Sequence, residues 1–327
     1  MGKTRDLIQV DGKATEPAWS RAPWSENFID IEGEIQPPYR TRVKMLWDTT
    51  LLYFFAELEE PHVWASLKQR DTIIFHNNDF EVFIDPDGDT HNYFELEVNA
   101  FNTVWDLFLT RPYRNGTNVL DAWDIPGLQT AVDIQGTLND PRDRDSGWSV
   151  EIAIPWEVLL EGNASKRIPV NQYWRINFSR VNWDFDLVAG KYIRKKDALG
   201  KYLPEYNWVW SPQWTINMHK PEYWGYVFFS PNPPGMDTTF TIAEDESLKL
   251  YLFQLHENLR IGTKGRNGLK EGAKVLVNTE EKEIAGKTIT PQLDIHSFGW
   301  TLWVKSPFTG SILYIEETGK FGCVDQN

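Results

Sequence analysis

Cysteine, methionine, basic residues and long apolar runs are all scarce in this chain. Cys323 is its single cysteine, which excludes an intrachain disulfide and a multi-cysteine zinc site. No stretch has the apolar length of a membrane-spanning helix. Lysine and arginine total 33 against 47 aspartates and glutamates, a formal net charge of −14. Such a surface repels phosphate backbones and excludes nucleic acid as the expected partner. The short run Arg194-Lys195-Lys196 reads as a solvated loop. The six histidines are scattered, without HExxH spacing, and no phosphate-cradling glycine loop is present. Nothing repeats internally. The opening Met1-Gly2-Lys3-Thr4-Arg5-Asp6 is not a leader, which fits a cytoplasmic protein or one whose leader has been removed.

Aromatic residues are abundant. Sixteen tryptophans occur among 327 residues, and indoles either fill large cores or stack on flat, weakly polar ligands such as sugar rings. The densest cluster is Asn207-Trp208-Val209-Trp210-Ser211-Pro212-Gln213-Trp214. An extended backbone would point Trp208 and Trp210 the same way as a stacking platform, with Pro204 and Pro212 bracketing a loop or edge. Trp19, Trp47, Trp148 and Trp174 sit in apolar-alternating contexts and read as core. The context of Trp64 leaves its role open.

Period-two alternation dominates up to residue 230. It predicts strands over 41–47, 80–85, 93–99, 104–110, 128–135, 148–154, 174–181 and 226–229. The continuous apolar run 51–58 predicts a strand buried on both faces. Pro155 fits the first position of a short helix. These signals give an all-β protein, a β-sandwich of two mainly antiparallel sheets. The proline-rich break 230–235 divides residues 1–230 from a C-terminal extension, 231–327. That extension should hold a helix over 244–259, a loop over 261–283 and a hairpin from strands 293–304 and 311–317, docked on the sandwich.

Pairing the two central acidic strands sets Phe80, Val82 and Ile84 beside Phe94, Leu96 and Val98. The other face carries Asp79 and Glu81 against Glu95, Glu97 and Asn99, with Glu81 opposite Glu97. Opposed like charges destabilise a sheet unless a cation, a proton, an arginine or water offsets them. Arg175, Asn177 and Ser179 alternate with Trp174, Ile176 and Phe178, and Glu151 alternates likewise. An Arg/Glu/Asn face offers the donors and acceptors a polyol needs, or is simply a hydrated surface. The turn Asp85-Pro86-Asp87-Gly88-Asp89 places Asp85, Asp87 and Asp89 as a possible calcium loop. It lacks EF-hand spacing, and an Asx-stabilised turn is the alternative. No organic cofactor is expected.

Several segments in order resemble carbohydrate-binding module family 9 within the DOMON-like β-sandwich group. They are Val10-Asp11-Gly12 with Glu16-Pro17-Ala18-Trp19, Leu52-Tyr53-Phe54, Asn78–Gly88, Gly147–Trp156, Trp174–Arg180, Trp208–Pro212 and His219–Gly225. The resemblance covers about residues 6–230. It implies a non-catalytic module that binds mono- or oligosaccharides of the glucose or xylose type, often at glycan chain ends, with structural calcium. It further implies a bacterial protein of polysaccharide utilisation, secreted, periplasmic or on the cell surface. Two aromatics would sandwich the sugar while Glu, Asn, Gln and Arg bond its hydroxyls. Asn207 with Trp210 resembles the family's amide–tryptophan pair, and Glu81 its acidic contact. Phe75 stands where better-known members carry tryptophan, and Trp64 or Trp208 could substitute. The candidate sugar-binding set is Phe75, Glu81, Glu97, Asn99, Arg175, Asn207, Trp208 and Trp210. Two alternatives stay open: a glycan hydrolase using a carboxylate pair from Glu81, Glu95, Glu97 or Glu151, and a haem site using Met45 or Met218 with His62, His76, His91 or His219.

Overall fold

A computed structural model describes residues 1–116, 119–262, 282–297 and 299–325. The alternating segments form strands, including Thr41–Trp47, Leu51–Glu59, Asp79–Asp85, Tyr93–Asn99, Gly147–Pro155 and Tyr173–Asn182. The chain divides into two units. The first comprises Met1–Asp87, Asn92–Thr110 and Asn118–Thr238; the second takes Gly88–His91, Arg111–Thr117 and Thr239–Asn327.

Two sheets build the first unit. The smaller runs Gly2–Lys3, Thr41–Trp47, Leu51–Glu59, Gly147–Pro155, Gln129–Gln135. The larger runs Ile29–Asp30, Tyr206–Val209, Tyr173–Asn182, Asp79–Asp85, Tyr93–Asn99, Val104–Leu109, Val119–Leu120, and Gly225–Phe228 also pairs with the long Tyr173–Asn182 strand. Apolar residues from both meet in one core: Val43, Phe54 and Trp148 from the first sheet, and Phe80, Leu96, Trp174 and Phe178 from the second. All four tryptophans read as core, Trp19, Trp47, Trp148 and Trp174, are buried. Burial of this kind contributes about 25 cal/mol per Å² of apolar surface.

The Leu51–Glu59 strand is apolar on both sides because its second face is covered too. Leu46, Tyr53, Phe55 and Ala153 pack under Ile8, Ala18, Trp19 and Ala22. Ala18 and Trp19 belong to the short helix Pro17–Arg21, which sequence reading did not anticipate. Glu151 fixes this cover. Its Oε1 accepts Trp19 Nε1–H at 2.8 Å, and its Oε2 accepts the Asp11 and Gly12 amides at 2.9 and 3.1 Å. Gly12 has φ +85, and a Cβ there would meet the Asp133 backbone at 2.7 Å, so glycine is required. Glu151 is therefore in the smaller sheet, apart from Arg175. Pro155 closes its strand and caps the helix Trp156–Leu159 from outside, rather than occupying its first turn.

In the second unit the helix Glu244–Gly262 opens on Glu244, Asp245 and Glu246, which suits the positive end of its dipole. The span expected as one strand over 293–304 is two, Gln292–His296 and Gly299–Lys305, paired with each other. The chain reverses ahead of Gly299, whose φ of +139 is open to glycine alone. Ile312–Glu316 and Phe321–Val324 complete this sheet. Leu248, Leu252, Ile289, Leu302 and Ile315 form a separate core. Most of the expected loop over 261–283 lies outside the described residues; Lys282–Ile284 within it is a strand turning back through Ala285 and Gly286, both at positive φ.

Candidate functional site

Register arranges the outer face of the larger sheet in rows, because directly paired residues share a face. One row reads Asn207, Val181, Asp79, Asn99; the next Val209, Ser179, Glu81, Glu97, Trp105; the third Asn177, Phe83, Glu95, Leu107. Glu81 thus stands opposite Glu97, as the alternation predicts. The face is not hydrated. Asp79, Glu81, Glu95 and Glu97 are 0 to 5% exposed. Burial, followed by the charges of neighbouring carboxylates, holds Asp79, Glu95 and Glu97 well above the usual carboxylate range. Burial above all pushes Glu81 up to about 7; the Ser179 hydroxyl opposes the shift, and the charge of Glu205 adds to it.

Arg175 does not join these acids. It lies in the row beyond the third, opposite Asp85, its Nη1 donating to Trp224 O at 2.6 Å and its guanidinium 3.5 Å from the Tyr226 ring centre. Asn99 is spent on its own turn: Oδ1 accepts the Phe101 and Thr103 amides, and Nδ2 donates to Leu67 O. Glu97 Oε2 accepts the Phe75 amide at 2.8 Å, so Phe75 borders the acidic row with its ring against His76. Trp64 is buried and stacked on Tyr192, 6.2 Å between centres.

The two indoles expected as a platform go elsewhere. Trp208 is 3% exposed, its ring in the sandwich core and 4.8 Å from the Arg180 guanidinium. Trp210 lies just past the strand end and is half-buried. Its ring rests 5.9 Å from Phe178 and fills the space that Gly225 leaves; its Nε1 reaches Glu26 at 3.2 Å. Trp208 projects no free face, because the neighbours Asn207 and Val209 take the outer surface while the indole turns inward. Arg194, placed by sequence in a solvated loop, ends the Lys191–Arg194 strand and stacks over Trp183 and Tyr202.

A cleft of about 570 Å³ opens at the edge of the larger sheet. Its lining includes Tyr39, Asp184, Glu205, Tyr206, Asn207 and the edge of Trp208, with Ile35 and Ile216 at the apolar side. Tyr206 is 46% exposed and tilts over Trp208, 6.1 Å between ring centres; Tyr39 meets the same indole edge-on at 6.1 Å. The Asn207 carboxamide and the Glu205 carboxylate make no hydrogen bond to the described residues, so their polar atoms are available to a ligand. Asp30 also lines the cleft, but its oxygens hold the amides of Glu32, Glu34 and Ile35 and shape the turn. Of the sequence candidates, Asn207 and Trp208 are in this lining; Phe75, Glu81, Glu97, Asn99, Arg175 and Trp210 are not. Tyr39, Asp184, Glu205 and Tyr206 went unnoticed. Their signal was adjacency: Glu205-Tyr206 immediately precedes Asn207, and Tyr39 follows Pro37-Pro38.

In the acidic turn, Asp85 is buried and Asp87 exposed within the first unit. Asp89, in the second, accepts the His91 amide at 2.7 Å and lies 3.4 Å from Lys320 Nζ.

Comparison with known families now decides the assignment. The model of the carbohydrate family 9 binding domain-like family matches residues 10–177. The chain belongs to that family. Among solved structures, a proposed carbohydrate-binding protein from Bacteroides uniformis is 13% identical, covering 70% of this chain and 98% of its own, with a TM-score of 0.51. That likeness speaks for the fold. A family 9 carbohydrate-binding module from Caldicellulosiruptor kristjanssonii, in complexes with cellotriose and with glucose, is 16% identical at a TM-score of 0.45. The two complexes cover 74% and 73% of this chain, and 99% of the module in each case. No curated protein gives a significant match. Within the family 9 match lie both opening motifs, now explained by Glu151 and its three donors, and the acidic rows through Asn177. The cleft draws Tyr39 from inside the matched span, and Asp184 and Glu205–Trp208 from beyond it.

Proposed function

We propose that this family 9 chain binds a mono- or oligosaccharide in the cleft at the edge of the larger sheet, without catalysing its breakdown. The observation that carries the reading is the lining itself. An exposed tyrosine ring lies beside an unengaged carboxamide and carboxylate, in a volume suited to a sugar of one or a few rings. Tyr206 supplies a face for the apolar side of a pyranose; Asn207 donates and accepts, and Glu205 and Asp184 accept from hydroxyls. Charge-assisted contacts to the carboxylates strengthen the hydroxyl bonds. Family membership supports the same class of ligand. The complexes of the C. kristjanssonii module make cellotriose and glucose the first sugars to try. Calcium in the Asp85–Asp89 turn and a bacterial, secreted or surface setting in polysaccharide utilisation belong to the same proposal.

Calorimetric titration with glucose, xylose and cello-oligosaccharides tests it. Tyr206→Ala and Asn207→Ala should each weaken binding by about 1–3 kcal/mol with the circular dichroism spectrum unchanged. If binding survives both and is lost in Trp210→Ala instead, the sugar sits with the indole and not in the cleft. No heat with any sugar, in wild type, would reject the reading.

A further inference from the structure

We propose that the buried pocket formed by Asp79, Glu81 and Glu97 binds a divalent cation of the calcium type. The proposal does not depend on the sugar reading, and it concerns residues distinct from the Asp85–Asp89 turn. One carboxylate oxygen from each of the three lies within 4.8 Å of the others. Calcium–oxygen bonds of about 2.4 Å place ligands across the ion no more than about 4.8 Å apart. The donors are all oxygen, which favours a hard cation over zinc or copper.

A cluster of acids alone would not suffice, since such groups also occur without an ion. Two further observations point inward. Neither oxygen of Asp79, a residue with no exposed surface, has a hydrogen-bond partner of normal geometry. Ser179 Oγ likewise has no partner of normal geometry; it faces Glu81 from the paired position on the neighbouring strand, near enough to favour that carboxylate's charged form. Leaving a buried polar atom unpaired costs about 1–3 kcal/mol, and more for a charged one. Glu95 stands one row away with a fourth orphaned oxygen, a further ligand or a charge reserve.

Burial removes bulk solvent as the compensation for these opposed carboxylates. The arginines that could have reached the pocket are committed: Arg175 to Trp224 and Tyr226, Arg180 to Glu60 on the core side, and Arg194 to Trp183 and Tyr202. Among the described residues none of the four acids forms an ion pair. A bound cation, shared protons or enclosed water remain, and of these only the cation neutralises the acids while ligating Asp79 and Ser179.

The test uses the full-length protein, stripped with chelator and titrated with calcium alone by calorimetry. A second probe is terbium, whose luminescence is excited through tryptophan; Trp105 is the direct cross-strand neighbour of Glu97. The expected result is a strong site that calcium and terbium compete for, separate from any uptake at the Asp85–Asp89 turn. Glu81→Gln and Glu97→Gln should each weaken it more than about tenfold, because affinity follows the number of charged ligands. Asp87→Asn should leave it intact. Melting temperature supplies a readout that a misfolded variant cannot imitate. Without cation, Glu81→Gln should melt above wild type, since it relieves the repulsion; with saturating calcium the order should reverse. Failure to take up either ion, uptake undiminished in both glutamine variants, or uptake lost in Asp87→Asn would overturn the proposal. So would a protonated-carboxyl infrared band at neutral pH that vanishes in Glu81→Gln and ignores calcium, which would assign the pocket to shared protons.

Discussion

Glu151 ties its strand to the Asp11–Trp19 stretch through three donated hydrogen bonds. Burial nevertheless outweighs those bonds and pushes its carboxyl up to about 7. A folded value above the ordinary 4.5 means that the fold favours the protonated form. Its stabilising contribution is full below about 4.5 and is lost as pH climbs through about 7. Denaturant unfolding from pH 4 to 8 should therefore show a flatter profile for Glu151→Gln than for wild type across that window. Glu151→Ala, which orphans three donors, should cost about 2–4 kcal/mol at any pH in the range. Arg180 is a second single-residue case. It is the charged member of its strand that turns inward, and its Nη2 lies 2.6 Å from Glu60 while Nη1 donates to Glu59 O. Arg180→Met strands the Glu60 charge in the core and should cost about 3–5 kcal/mol, measured by the same unfolding.

At the scale of elements, the outer cover of the smaller sheet is the least expected feature. The stretch from Ile8 to Ala22 contains only one helical turn and a half, yet it seals Leu46, Tyr53 and Phe55. Trp19→Ala should therefore cost about 3–5 kcal/mol and increase binding of a hydrophobic dye, although Trp19 lies outside the main sandwich core. Strand identity and register were legible here because alternation is a local property. The Glu81–Glu97 pairing followed from counting back from one tight turn. The orientation of Trp208 was not legible. Two prolines near it suggested an edge, but the Tyr206–Val209 strand is paired on both sides, by Ile29–Asp30 and by the Tyr173–Asn182 strand, and its indole falls on the core face. The Asp85–Asp89 signal was visible as composition, while the approach of Lys320 to Asp89 was set by a residue far along the chain.

For the whole molecule, the cleft lining comes entirely from residues of the first unit. A chain ending at Thr238 should then bind the same sugar with the affinity of the full chain, checked by parallel titrations; loss of binding on truncation would show that residues 239–327 are needed for the site. The sequence by itself determined the sandwich, its strands, the inward tryptophans and the acidic face, because side chains alternate along a strand whatever it pairs with. It also carried enough ordered motifs to point to family 9. Only the tertiary structure decided that the acidic face is buried, that Arg175 and Arg180 are taken by other partners, and that a tyrosine rather than a tryptophan pair lines the open cleft. Burial and free surface depend on what covers a face, and that is supplied by segments distant in sequence, which no local pattern encodes.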